Sequence, residues 1–226
     1  ATFHSTDFSR AKLNGAILRR SDFKDSELSE ADLSLADLTG ANLVGAKLSG
    51  ANLDRIKLNQ AKLNDVKLSG ARLTKAKLTQ VDLTDADLSG ANLTGAELNE
   101  ATLEGADLSR ANLTEAILIN ANLKNTFLIG ANLQKADLEK VVLEGADMAG
   151  VKLRHANLKQ ANLKKVDLRR ADLEHADFSK ANLSSANFTG AKMSESLFID
   201  ADLTAAKMDS ADTTDTQFQG AIGFKA

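Results

Sequence analysis

The chain repeats itself every five residues, and this register does not slip from the first unit to the last. Of the 44 positions from Phe3 to Phe218 in steps of five, 33 are Leu, 7 are Phe, 3 are Met and one is Thr213. Two residues before each of them lies a second column, of which 32 members are Ala. The remaining three positions of each unit are mostly polar residues or Gly. Any fold of this chain must therefore bury two apolar columns that recur at intervals of five.

This period fits neither regular secondary structure. On a straight strand, residues five apart alternate between the two faces. On an α-helix they advance by about 140° per unit, which spreads the leucines around the cylinder. The apolar columns stay inside only if the chain turns a corner once per unit, after a short extended segment. Thirteen of the 14 glycines occupy the last position of a unit, where a tight turn suits them.

A second period of 20 residues gives the length of one coil. Serine recurs at every twentieth position from Ser9 to Ser109, and Phe178, Phe198 and Phe218 follow the same spacing. Stacked coils of a solenoid place like residues above one another. The sequence therefore predicts four units per coil, and 44 units make about 11 coils. At about 4.8 Å per coil, the rod is roughly 53 Å long.

Composition and charge exclude several classes of function. Lys and Arg number 28 and Asp and Glu 31, and a net charge of −3 is too balanced to indicate direct nucleic-acid binding or attachment to a membrane surface. The absence of cysteine excludes disulfides, thiolate metal sites and a cysteine nucleophile. No apolar run approaches the ~20 residues that span a bilayer, so membrane insertion is not expected. The compartment is not indicated: we expect the cytoplasm, or the periplasm or thylakoid lumen if a leader was removed before Ala1.

Units such as Ala91-Asn92-Leu93-Thr94-Gly95 resemble those of the pentapeptide-repeat family, and the resemblance covers nearly the whole chain. It implies an all-β fold, a right-handed quadrilateral parallel β-helix, with handedness inferred from the family alone. We expect one domain over residues 1–218 and a short tail, 219–226, as a possible cap. Because the family motif defines core residues only, the resemblance implies no functional site in this chain.

The favoured interpretation is a non-enzymatic scaffold that binds an undefined protein partner through its flat faces. No catalytic residue, cofactor or metal is expected, because the leucine-filled core leaves no cleft. His155 and His175 should stack, but two histidines on neighbouring coils are more typical of a polar surface than of a metal site. The candidate contacts are the apolar residues in outward positions: Ile117, Ile119, Phe127, Ile129, Val142, Leu197 and Ile199.

Two alternatives remain. One branch of the family binds DNA gyrase, a type II topoisomerase, as a mimic of duplex DNA, and residues 81–110 carry a net charge of −6 that could serve as the contact. The acidic residues of this band are Asp82, Asp85, Asp87, Glu97, Glu100, Glu104 and Asp107. Residues 51–80 next to it carry +5, so the rod is banded and not uniformly acidic.

The other alternative is a structural rod that associates end to end, as a homodimer, through Phe218, Ile222 and Phe224. The phenylalanines concentrate at the two ends of the chain, which predicts aromatic plugs for the core. We expect the tail to fold over the last coil with Ile222 or Phe224 inserted.

Overall fold

The computed structural model describes residues 1–223, and within them the backbone forms single parallel β-bridges and turns, with no helix and no longer strand. Each bridge joins the second residue of a unit to the residue 20 positions later, from Thr2–Asp22 to Asp202–Ile222. The coil length predicted from the serine column is therefore confirmed. Among these residues there is also no helix long and apolar enough to cross a membrane.

Hydrogen bonds between coils hold the stack together. The N–H of Leu48 donates to the carbonyl of Lys67 at 2.7 Å, and the N–H of Lys67 donates to Ala46 at 3.0 Å. The N–H of Gly50 donates to Ser69 at 3.0 Å, and the same pattern recurs along the rod. Each coil is thereby bonded to the coil before it and the coil after it, which satisfies most backbone groups.

A β-turn closes every unit. The N–H of Ala46 donates to the carbonyl of Leu43 at 3.0 Å, and Gly45 between them has a φ of 67°. Residues other than Gly adopt the same left-handed conformation, with φ of 62° at Leu35 and 58° at His155. The ladders on both sides of the turn therefore impose this backbone even where a side chain makes it costly, by roughly 1 kcal/mol or more.

The core is a continuous column of the two apolar positions. From Phe23 to Leu203 the leucine-type residues are at most 2% exposed, as are the alanines and valines two residues before them. Three hydroxyls in the alanine column, those of Ser26, Thr126 and Ser196, donate to the carbonyl three residues earlier in their own turn. Thr216 Oγ1 instead donates to the Met193 carbonyl of the preceding coil at 2.8 Å. Among the described residues no buried side-chain nitrogen or oxygen lacks a partner.

We number the four sides of the rod by their bridging residues. Side 1 carries Thr2 and every twentieth residue after it, side 2 starts at Asp7, side 3 at Lys12 and side 4 at Ile17. The turn after each side forms a corner, so the 2–3 corner contains Ser9 and its equivalents. Because four corners close one coil, sides 2 and 4 lie on opposite faces.

The aromatic plugs predicted at the two ends are present. At the first coils the ring centroids of Phe3, Phe8 and Phe23 lie 4.8 to 5.8 Å apart. Near the other end the ring of Phe198 stacks on that of Phe178 at 4.8 Å and on that of Phe218 at 5.5 Å. These rings fill the last interior positions at both ends of the described rod.

The predicted insertion of Ile222 is wrong. Ile222 is 59% exposed, its N–H donates to the Ala201 carbonyl at 2.9 Å, and its carbonyl accepts from Leu203 at 2.8 Å. It therefore continues the side 1 ladder as a bridging residue whose side chain points outward. The ladder extends past residue 218, where we expected the repeat to end. Phe224, the other predicted insertion, lies outside the described residues.

Candidate interaction surfaces

The outward apolar residues do not form one cluster. Ile117 bridges Glu97 and Asp137 on side 4, and Ile119 lies in the adjoining 4–1 corner. Leu197 and Ile199 occupy the same two columns four coils further along. At about 4.8 Å per coil, the two pairs are about 19 Å apart. All four side chains are half-buried.

The other predicted contact residues lie on different sides. Val142 bridges Asn122 and Asn162 on side 1 and is half-buried. Phe127 lies on side 2 and Ile129 in the 2–3 corner, and they are 49% and 44% exposed. Residues of consecutive units thus lie on different sides of the rod, because the chain turns one corner per unit.

Two exposed apolar residues were not singled out from the sequence. Ile17 is 81% exposed on side 4, and Leu35 is 58% exposed at the 3–4 corner. Like Ile117, both are apolar residues at positions of the unit that are normally polar, and this sequence feature could have identified them.

The predicted acidic band also spreads around the rod. Asp82 lies on side 1, Asp87 and Asp107 on side 2 and Glu97 on side 4. The corner residues are Asp85 and Glu104 between sides 1 and 2, and Glu100 between sides 4 and 1. Five of the seven therefore surround the 1–2 corner.

Basic residues of the preceding coil adjoin this acidic surface. Backbone β-bridges place Lys62 beside Asp82, Lys67 beside Asp87 and Lys77 beside Glu97. Burial raises the pKa of Asp82, but hydrogen bonds from Thr84 and Asn64 outweigh it, and the pKa is lowered. Three of the seven acidic residues, Asp82, Asp87 and Glu97, therefore each lie one coil from a lysine.

The two histidines stack as predicted. The ring centroids of His155 and His175 are 4.7 Å apart with an angle of 3° between planes. His175 Nδ1 lies 3.4 Å from Glu195 Oε2. Stacked parallel rings do not aim their nitrogens at one point, and the described residues include no group of three or more His, Cys, Asp or Glu arranged for a metal ion.

Hydroxyls of the serine column bond either to each other or to the acidic residue two positions earlier. Ser49 Oγ lies 3.1 Å from Ser69 Oγ, and Ser89 Oγ donates to Asp87 Oδ1 at 2.7 Å. No histidine shares this column, so the arrangement lacks the base that a serine nucleophile needs. Beside the serines lies a shallow depression of the 2–3 corner, lined by Ser89, Gly90, Ser109, Arg110 and Ile129.

Comparison with known proteins agrees with this architecture. The family model described as pentapeptide repeats matches in eight copies, which together span residues 1–198. HetL, a pentapeptide repeat protein involved in heterocyst differentiation regulation from the cyanobacterium Nostoc sp. strain PCC 7120, is 34% identical. The match covers 94% of this chain and 92% of HetL, with a TM-score of 0.49.

A second solved structure is that of trypsin-treated QnrB1, a plasmid-mediated fluoroquinolone resistance protein. It is 18% identical over 93% of this chain and 88% of its own, with a TM-score of 0.51, so it supports the fold alone. A comparison with curated protein sequences finds no significant match.

Proposed function

Because this chain belongs to the pentapeptide-repeat family, we propose that it is a non-enzymatic rod that binds a protein partner along one flat side. The proposed rod is right-handed, quadrilateral and about 11 coils long, in keeping with 20 residues per coil. Leucine-type side chains that are at most 2% exposed fill the interior of the rod along residues 23–203, where a buried ligand would otherwise bind.

The observation that carries this proposal is the repeated apolar pair of side 4. Ile117 with Ile119, and Leu197 with Ile199, offer two matching anchor points about 19 Å apart along one straight edge. Apolar anchors surrounded by polar residues are typical of protein interfaces.

Two lysines between the anchor points are paired with carboxylates of the rod itself. Lys159 Nζ lies 3.1 Å from Asp177 Oδ2, and Lys140 Nζ lies 3.1 Å from Glu139 Oε1. Because these charges are paired within the rod, a partner could cover them without neutralising an isolated charge. A partner helix or strand could therefore contact both anchors at once.

The experiment compares partner capture by matched variants. The rod is immobilised, exposed to extract of its source cells, and the retained proteins are cross-linked and quantified by mass spectrometry. The double variant Ile119→Asp/Ile199→Asp should lose its specific partner, because a carboxylate would be buried at each anchor. Thr79→Asp, in the same column but away from both anchors, is the control and should retain the partner. Equal retention by both variants would contradict binding through side 4.

Neither alternative function gains a specific supporting observation. For a gyrase-binding DNA mimic, the acidic residues should form one unbroken surface, whereas here they are spread over three sides and two corners, with Lys62, Lys67 and Lys77 beside three of them. For end-to-end association, Ile222 is exposed as required, but Phe218 already packs on Phe198.

A further inference from the structure

Side 2 has an apolar centre with small residues beside it. Phe127 and Ile129 are the exposed apolar residues of this face, 49% and 44% exposed. The next coil presents Ala149 and Gly150 in the columns of Ile129 and Gly130. A Cβ added at Gly130 or Gly150 would meet nothing within 4 Å, so the surface beside these glycines is open. We call the small-residue surface of Ala149 and Gly150 the ledge.

Charges of opposite sign lie on the two sides of this centre. Towards the N-terminus, side 2 and its two corners carry the acidic residues Asp85, Asp87, Glu104 and Asp107. Towards the C-terminus the same surface carries Lys164, Lys165, Arg169 and Arg170, with Asp167 held by Arg169. The two ends of this surface therefore differ in sign, whereas the middle is mixed: the coil of Phe127 carries Lys124 and the next coil carries Glu144 and Asp147.

A surface with an apolar middle and opposite charges at its ends is complementary to itself when reversed. We propose that side 2 pairs with side 2 of a second copy in an antiparallel, twofold-symmetric dimer. The symmetry axis passes between the coil of Phe127 and the coil of Asp147. At about 4.8 Å between coils, the Phe127 rings of the two copies then lie within reach of aromatic contact across the axis.

In this arrangement each corner meets its own counterpart in the second copy, running in the opposite direction. Lys124 faces Glu144, and Glu104 faces Lys164, so both pairs of the 1–2 corner have opposite charge. At the 2–3 corner Ile129 lies over the ledge of Ala149. Each contact occurs twice, as an isologous interface requires.

Two like-charged pairs also face each other, and Phe127 meets Asp147 of the second copy beside the axis. Asp107 meets Asp167, but Arg169 Nη2 already lies 2.6 Å from Asp167 Oδ2 and offsets its charge. Arg110 meets Arg170, and Asp107 lies on the same coil as Arg110. The coil of Asp107 nevertheless remains net acidic on this face and the coil of Asp167 net basic.

Shifting the axis by half a coil removes this match. If the axis crosses the coil of Phe127 itself, Glu104 and Asp107 face Glu144 and Asp147, and acid meets acid. A parallel side-by-side pairing would place Lys164 and Lys165 of one copy opposite Arg169 and Arg170 of the other. Charge therefore disfavours both this shifted register and the parallel orientation.

The size of the face indicates a weak dimer. Six coils span about 29 Å of rod, and one side is only a few residues wide, so the contact belongs to the smaller class of protein interfaces. We expect monomers at low micromolar concentration and dimers at several hundred micromolar. Because oppositely charged residues face each other at the 1–2 corner, dissociation should increase with salt.

Single cysteines test the register, because the chain has none of its own. In the proposed dimer the two copies of residue 149 are offset by about 4.8 Å along the rod, whereas those of residue 89 are about 24 Å apart. Ala149→Cys should therefore give a covalent dimer with a short bis-maleimide cross-linker. Ser89→Cys, in the same column of the same corner, is the control and should stay monomeric. Equal yields from the two variants would overturn the proposal.

Charge reversal provides the second test, by sedimentation equilibrium up to several hundred micromolar. Lys124→Glu should weaken dimerisation at least tenfold, because a glutamate would face Glu144 of the second copy. The double variant Lys124→Glu/Glu144→Lys should restore it, and circular dichroism checks that all variants are folded. A monomer at every concentration, or a dimer unaffected by Lys124→Glu, would exclude this interface. Since side 4 is untouched, these outcomes do not depend on the proposed partner site.

Discussion

At the scale of single residues, each unit that has a coil on both sides leaves one backbone N–H, that of its fourth residue, without a backbone acceptor in the described chain. The side chain at the second position usually accepts it, as Asp87 Oδ1 does from the N–H of Ser89 at 3.0 Å. The hydroxyl of Ser89 donates to the same oxygen at 2.7 Å. The preference for Asp or Asn followed two residues later by Ser or Thr is therefore a local turn mechanism and not only surface polarity.

Asp37 is the carboxylate in which this mechanism is strongest. Burial alone would raise its pKa, but hydrogen bonds from Thr39 and from Arg19 Nε, at 2.7 Å, lower the pKa from 3.8 to about 2. A lowered pKa means that the folded state favours the ionised form. Its stabilisation is therefore present above pH 4 and is lost as the pH falls from 4 to 2.

The variant Asp37→Asn should reduce the free energy of unfolding at pH 7 by about 1 kcal/mol, allowing for the exposed Arg19 side chain. Urea unfolding at pH 7 and at pH 2 measures the difference between variant and parent. We expect that difference to shrink at pH 2, where the parent carboxyl becomes protonated. A difference of equal size at both pH values would contradict the assigned role of the charge.

At the scale of the coil, some turns receive their acceptor from the coil before. Ile117 has no side-chain acceptor for the N–H of Ile119, and Asn99 Oδ1 accepts it at 3.1 Å from 20 residues earlier. Asn59 Oδ1 does the same for Thr79 at 3.1 Å, where the second position is Lys77. Apolar or basic residues can thus replace Asp or Asn on the surface because the neighbouring coil supplies the missing acceptor.

Removing such an acceptor should destabilise the rod. Asn99→Ala leaves the N–H of Ile119 without its partner, and we expect a loss of about 1 kcal/mol in the free energy of unfolding. Gln134→Ala is the control, since Asn132 accepts the N–H of Gln134 within the same unit. Chemical unfolding of the three proteins tests this. Equal losses from both variants would show that the inter-coil bond contributes nothing specific.

At the scale of the whole molecule, the charge bands do not merge into one field. The acidic residues of positions 81–110 occupy three sides and two corners, and lysines of the preceding coil adjoin them. A protein that substitutes for duplex DNA needs a continuous negative surface. The geometry therefore favours short, face-specific contacts over long-range mimicry.

A gyrase assay tests this conclusion directly. Titrating DNA supercoiling with the rod, with and without a quinolone, should give a flat response up to high micromolar concentration. Dose-dependent inhibition or drug protection that disappears when Asp82, Asp85 and Asp87 are neutralised would instead support a DNA mimic.

The sequence by itself determined the coil and its core. A five-residue period with Leu and Ala two apart can be buried only by a chain that turns once per unit, and the serine column shows four units per coil. These features are readable because a solenoid relates each residue to one at a constant distance along the chain. The aromatic plugs at Phe3 and Phe198 were predictable for the same reason.

Only the tertiary structure decided which surface residues meet. Ile117 and Phe127 are ten residues apart, yet two corners separate them and place them on opposite sides. Ile222 joined the ladder because the backbone groups of Ala201 and Leu203 offered hydrogen bonds there. Local pattern specifies inside and outside, whereas contacts between faces depend on how many corners the chain has turned.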